Sequence, residues 1–388
     1  MIHSELIEEV LSHLSVASLL RFRCVSKSWC CIIDSDHFIK KHLNQSIIAR
    51  SNHSLIYGSM EMGLYSVNLD SFDTAHLIQP PVDSTDFQLI CMSNYCNGLF
   101  LVVAAESLVL QNPFSRRHKK LPDAFPIEFP TDYSSLYAIE YYGLCYDPRK
   151  DDYKVVRVVE FHNLTGQWTF SETEILSLKS NSWNKVERFP YPLPLLDHRW
   201  EVYLNGALHS LLKDISHAYS GKTFKIMGFS VENENHYELM LPTKIPIENI
   251  SMNLNVLGGC LSLATASEFH VGIWVMKKYG VEKSWTQLLS VGQITINSNG
   301  NLSSLRPLTY SKNGEKVLLY VNEEKLVWYD LRRNVIVDVL PISFCPELCV
   351  QSLVWPKESS LQSFIDIAIP IPFNCWEPKP SLELVEVV

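Results

Sequence analysis

A chain of 388 residues, 46% apolar and 19% charged, is long enough to bury a large core and too apolar to remain unfolded. Its formal net charge of −9 opposes phosphate backbones and anionic membranes unless a basic patch is local. No basic-then-apolar secretory pattern opens the chain, and the longest apolar run, Leu99 to Ala105, is far short of the roughly 20 residues a membrane helix needs; a soluble intracellular protein is therefore expected. The ten cysteines follow no regular framework and are expected to stay unbridged.

Residues 1–45 read as helical. Leu6, Ile7, Val10, Leu11 and Leu14 recur at the three-to-four spacing of one apolar stripe, with Ser4 and Glu5 as a capping hydroxyl and a first-turn charge. A second stripe runs through Leu19, Leu20, Phe22, Val25, Trp29, Ile32 and Ile33. Asp34-Ser35-Asp36 ends it, before a short third helix around Phe38 to Leu43.

After about residue 50 the pattern changes to short runs of Val, Leu, Tyr and Trp broken by Asn, Asp, Gly and Ser, as in strands joined by tight turns. One phrase recurs: an apolar strand, a polar turn, a second strand, and often a closing Leu-Pro. It begins at Leu64, Leu108, Thr173, Phe224, Val271 and Lys325. These six phrases suggest a mainly β fold over residues 50–356, a six-bladed propeller, because a ring buries blade faces that one sheet alone leaves open. A β-sandwich is the alternative. Val350 to Trp355 is the expected last strand, closing the ring beside Ser54 to Tyr57, and residues 357–388 read as a tail. Arg116-Arg117-His118-Lys119-Lys120 reads first as a solvated hairpin turn, and second as a polyanion contact or nuclear address.

ELIEEVLSHLSVASLLRFRCVSKSWCCIIDSDHFIKKHL resembles the F-box, with Ser18 to Trp29 as its diagnostic core. CNGLFLV from Cys96, NPFSRRHKKLP from Asn112, YGLCYDPRKDDYKVVRVV from Tyr142, LKSNSWNKV from Leu178 and SLVWP from Ser352 resemble the F-box-associated, kelch-like β domain of plant F-box proteins. The chain looks nearest to the constitutive-expresser-type (CPR) defence-regulating members. The resemblance implies an α+β, mainly β chain: a three-helix F-box, then a kelch-like propeller. It implies a non-catalytic substrate receptor of a Skp–cullin–F-box ubiquitin ligase, cytoplasmic or nuclear, needing no cofactor. Its partners would be a Skp-type adaptor, through that a cullin, and an unknown target protein marked for proteasomal degradation. Adaptor contact is expected at Leu6, Leu14, Leu19, Leu20, Val25 and Trp29, with Ile7 and Val10 inside. Ile2-His3 and Ser15 depart from the family's Leu-Pro and proline, which predicts a looser entry to the second helix. Gln111 and Ser210 stand where Trp is usual, which predicts altered packing in two blades.

Catalytic patterns are weak. Gly221-Lys222-Thr223 looks like the end of a phosphate loop, but the required glycine is Ser216. Cys345 and Cys349 lack a nearby histidine pair, and Asp151-Asp152 reads as a turn that caps backbone amides. An adaptor-independent interaction module and a propeller hydrolase are the rival readings.

Overall fold

The structure, a computed structural model, describes residues 4–59, 63–69, 75–78, 91–104, 107–129, 136–193, 200, 202–214, 223–243, 245, 251–267, 270–292, 302, 304–341 and 346–357. The expected tail, the Gly221-Lys222 pair, Ser216, Cys345 and Ile2-His3 lie outside them.

Four helices open the chain instead of three: α1 (Ser4–Ser12), α2 (Val16–Phe22), α3 (Lys27–Ile33) and α4 (Asp36–Ile48). The second stripe is split because Ser26 leaves the helical region and caps α3, its hydroxyl accepting from Trp29 N at 3.2 Å. Ser15 and Ser35 cap α2 and α4 in the same way, accepting from Ser18 N (3.3 Å) and Phe38 N (3.2 Å). Ser15 thus caps α2 at the position where the expected proline is missing. Its φ of −67° is the angle a proline would impose, and its hydroxyl satisfies an amide that proline leaves open. The third expected helix, ending at Leu43, runs on to Ile48.

Six four-stranded antiparallel sheets follow. Blade one holds β1 (His53–Ser59), β2 (Gly63–Asn68) and β3 (Ala75–Ile78); blade two holds β4 (Cys91–Met92), β5 (Phe100–Ala104), β6 (Ser107–Asn112) and β7 (Arg117–Lys120). Blade three holds β8 (Leu136–Asp147), β9 (Asp152–Asn163), β10 (Trp168–Ser177) and β11 (Ser182–Val186), and blade four β12 (Val202–Leu204), β13 (Ala207–Asp214), β14 (Thr223–Ser230) and β15 (Asn235–Leu239). Blade five holds β16 (Ser251–Leu257), β17 (Cys260–Ala266), β18 (His270–Met276) and β19 (Trp285–Gly292), and blade six β20 (Leu305–Tyr310), β21 (Lys316–Val321), β22 (Lys325–Asp330) and β23 (Val335–Pro341). Finally β24 (Glu347–Val350) pairs with β1, Ser54 opposite Cys349, and completes blade one. The propeller thus closes its ring by pairing its first and last strands, and the last begins three residues earlier than expected: residues 351–357 carry no strand.

Each recurring phrase is the outer hairpin of a blade, its third and fourth strands. Two of the described turns share a device. Asn112 Oδ1 accepts from the amides of Phe114 and Ser115 (both 3.0 Å), and Asp330 Oδ1 from those of Arg332 (2.9 Å) and Arg333 (2.8 Å). In each, the fourth residue on adopts positive φ, Arg116 at 57° and Asn334 at 56°.

Neighbouring blades are pinned by polar contacts as well as by apolar clusters. Trp183 of β11 donates its indole N–H to Pro122 O (3.0 Å), just past β7, and Trp285 of β19 donates to Met240 O (2.9 Å), just past β15. The Ser-Trp pair and the closing Leu-Pro of the phrases are two halves of one inter-blade joint. Asn94 exchanges two hydrogen bonds with the Leu144 backbone (2.8 and 3.0 Å), and Lys154 reaches Val231 O (2.9 Å). Arg306 pairs with Glu347 at 2.6 Å across the closure. Gln111 and Ser210 are both buried within blades two and four.

Candidate functional site

The helices have two sides. On one, Leu11, Val16, Leu19, Ile33 and Phe38 form a core with Leu353 from beyond β24, and Phe114 packs against it from the β6–β7 turn. Further along α4, Leu43 enters the core between blades two and three. Lys40 pairs with Asp151 at 2.8 Å, while Arg50 lies 5.0 Å over the Tyr310 ring and donates to Ser311 O (3.2 Å). His42 donates from Nε2 to Leu14 O (2.8 Å), and burial holds its pKa below the usual histidine value. Helix α4 is thus fixed to the propeller along its length.

The other side stays open. Leu6, Val10 and Val25 are 60%, 63% and 61% exposed. Leu6 and Val10, four apart, share one face of α1. Leu14, Leu20 and Trp29 are half-buried, and the Trp29 ring meets Phe22 edge-on at 5.5 Å. Leu19 is fully buried and offers no surface for a partner; its place is the core. Val10, expected inside, is outside, because it precedes the core residue Leu11 by one position and is turned from it by about 100°. Ile7 packs against the core as expected.

The propeller holds several buried charged groups that are paired with one another. Arg157 lies between Glu174 and Glu140, both at 2.8 Å. Lys154 pairs with Asp147 at 3.1 Å; burial lowers its pKa, but the hydrogen bonds and charges of Asp147 and Glu234 outweigh that and hold it above the usual lysine value. Glu160 and His162 sit 3.0 Å apart, both sealed from solvent. Burial raises the Glu160 carboxyl pKa, against the opposing Leu193 N–H and His162. His209 Nε2 meets Tyr279 Oη at 2.6 Å, and burial pushes its pKa down to about 4. Asp152 accepts from Ser177 Oγ (2.6 Å) and Lys179 N (2.9 Å), the capping role expected of it. Cys349 is buried, and burial raises its thiol pKa. Among the described residues no group of three or more His, Cys, Asp or Glu is placed to hold a metal ion, and no helix is long and apolar enough to cross a membrane.

Helices packed on a β-ring by one side, with Leu6, Val10 and Val25 exposed on the other, form a small helical module fused to a propeller. Residues 2–41 match the F-box domain model and residues 54–353 the F-box associated beta propeller domain model, so the chain belongs to the F-box proteins that carry this propeller. The F-box protein CPR1 of Arabidopsis thaliana is 32% identical over 371 residues, which cover 90% of this chain and 88% of that protein. The Arabidopsis thaliana F-box protein At4g22390 is 31% identical over 370 residues, 90% of this chain and 89% of its own length. The F-box/kelch-repeat protein At3g23880 of the same plant is 28% identical over 305 residues, 75% of this chain and 79% of its own.

Proposed function

We propose that the chain is the non-catalytic substrate receptor of a Skp–cullin–F-box ubiquitin ligase, acting in the cytoplasm or nucleus. Residues 1–45 dock on a Skp-type adaptor and through it a cullin, while residues 50–356 hold a target protein for ubiquitination and proteasomal degradation. The observation that carries this reading is the apolar face left by α1 and the α2–α3 turn. Leu6, Val10 and Val25 stay exposed after the opposite side of the helices has been buried. Leu14, Leu20 and Trp29 are partly buried against the core that holds Leu19, and remain candidates for the same contact. A receptor of this kind accelerates transfer by proximity, keeping a target lysine at high effective concentration near the activated ubiquitin.

Co-purification with a Skp-type adaptor and a cullin tests the reading, comparing the unaltered chain with a Leu6→Asp/Val10→Asp variant. Both side chains are exposed, so the variant keeps its circular dichroism and melting temperature. The expected result is a complex with the unaltered chain and its loss in the folded variant. A folded, unaltered chain that recruits no adaptor overturns the reading.

A further inference from the structure

The basic run singled out in the sequence lies on a sheet edge that pairs with no further strand among the described residues. Strand β7 is the outermost of blade two, and Arg116, Arg117, His118 and Lys120 are exposed. Its register sets Arg117 and Lys119 on one face of the blade, and His118 and Lys120 on the other. Among the described residues no carboxylate pairs with Arg116, Arg117, His118 or Lys120, and Arg117 lies 5.9 Å over the Trp355 ring. Lys119 Nζ reaches Asn181 Oδ1 (3.2 Å) in the β10–β11 turn, where Lys179 Nζ in turn meets Lys150 O (3.2 Å). The positive surface therefore continues onto blade three. Among the described residues, Asp151 is paired with Lys40 at 2.8 Å, Asp152 is buried, and Asp123 just beyond the strand is exposed.

One lysine is enough to keep an outer strand from pairing with other chains, and elsewhere such charges are balanced within the blade. Lys185 of β11 faces Glu172 of β10, and Glu238 of β15 faces Lys225 of β14, both at 3.3 Å. Strand β7 instead concentrates one sign, in a chain whose net charge is −9. A free strand edge offers backbone hydrogen bonds that only another polypeptide can take up, which favours a peptide over a nucleic acid. Four residues span about 13 Å, room for four or five residues of a partner.

We propose that the free edge of β7 binds an extended acidic protein segment, which adds as a fifth strand to blade two. Consecutive Asp or Glu side chains then fall on both faces of the added strand, against Arg117 and Lys119 on one and His118 and Lys120 on the other. Where the receptor reading holds, the occupant is a segment of the target, but the binding itself requires no adaptor.

The test is fluorescence anisotropy with the full chain and a labelled peptide carrying a central run of Glu and Asp. Comparators are the same peptide methylated at alternate backbone nitrogens and a single-stranded oligonucleotide. The unaltered chain is compared with Arg117→Glu/Lys120→Glu and with a Lys277→Glu/Lys283→Glu control on blade five, all checked for unchanged melting. The acidic peptide is expected to bind, more weakly as salt rises, and to lose about tenfold or more in affinity with the β7 variant but not with the control. Backbone methylation is expected to cost a similar factor. Indifference to the β7 variant overturns the site, equal binding of the methylated peptide overturns strand addition, and tighter binding of the oligonucleotide overturns the peptide as occupant. Each of these results stands whether or not the adaptor binds.

Discussion

Acidification should loosen the joint between blades four and five through one buried imidazole. His209 is inaccessible, its Nε2 set against Tyr279, and its pKa falls to about 4 from an ordinary 6.5. A histidine with a depressed folded pKa favours the fold while it is neutral. Its contribution is complete above the unfolded value and is lost as pH falls from 6.5 towards 4, because the unfolded chain takes up the proton first. The full shift corresponds to about 3 kcal/mol, of which about 2 kcal/mol is already gone at pH 5. His42 and His236 are shifted in the same direction by burial and add to the loss. Asp147 and Asp330 have lowered pKa values, so their contribution is lost at still lower pH. Urea midpoints between pH 7.5 and 4.5 would measure the slope in the unaltered chain and in His209→Gln, which is less stable at neutral pH but titrates with a shallower slope. Equal slopes in the two proteins would refute the assignment to His209.

Leu353→Ala is expected to destabilise the chain by about 2–3 kcal/mol, since the side chain is nearly buried in the helical core but borders half-buried neighbours; an unchanged urea midpoint would show that the segment after β24 lies on the helices without supporting them. Trp183→Phe and Trp285→Phe each remove an indole donor from the carbonyl that ends a neighbouring blade. Each should cost about 1–2 kcal/mol by thermal or urea unfolding, and because the two joints share no partner their costs should add within error in the double variant.

The outer hairpins were legible in the sequence because they carry their own chemistry: in four blades an Asx or hydroxyl turn, and in two a Trp that finds the preceding blade's end. The inner strands were not. Strands β4 (Cys91–Met92) and β12 (Val202–Leu204) are too short to show a period, and their pairing is imposed by the ring around them. Which helical residues are packed and which stay exposed was not legible residue by residue. Periodicity marks which residues are apolar, and it cannot tell the row that meets a propeller from the row left exposed. That is why Leu19 and Val10 exchanged places.

Ring closure failed as a boundary for a related reason, and the failure has mechanical content. Ser352, Leu353 and Val354 look like strand because they are buried, yet what buries them is not a sheet. Asn112 donates to the carbonyls of Ser352 (3.1 Å) and Val354 (2.9 Å), Ser352 donates to Asn97 O (2.7 Å), and Lys357 pairs with Asp36 at the start of α4. A single stretch therefore completes blade one through β24, ties it to blade two, and fills the helical core with Leu353. The helices are held by the closure of the ring itself rather than by a flexible linker. On the proposed reading, an adaptor docked on Leu6 and Val10 would be kept at one distance and angle from the propeller, and a fixed distance is what a proximity mechanism needs from a receptor.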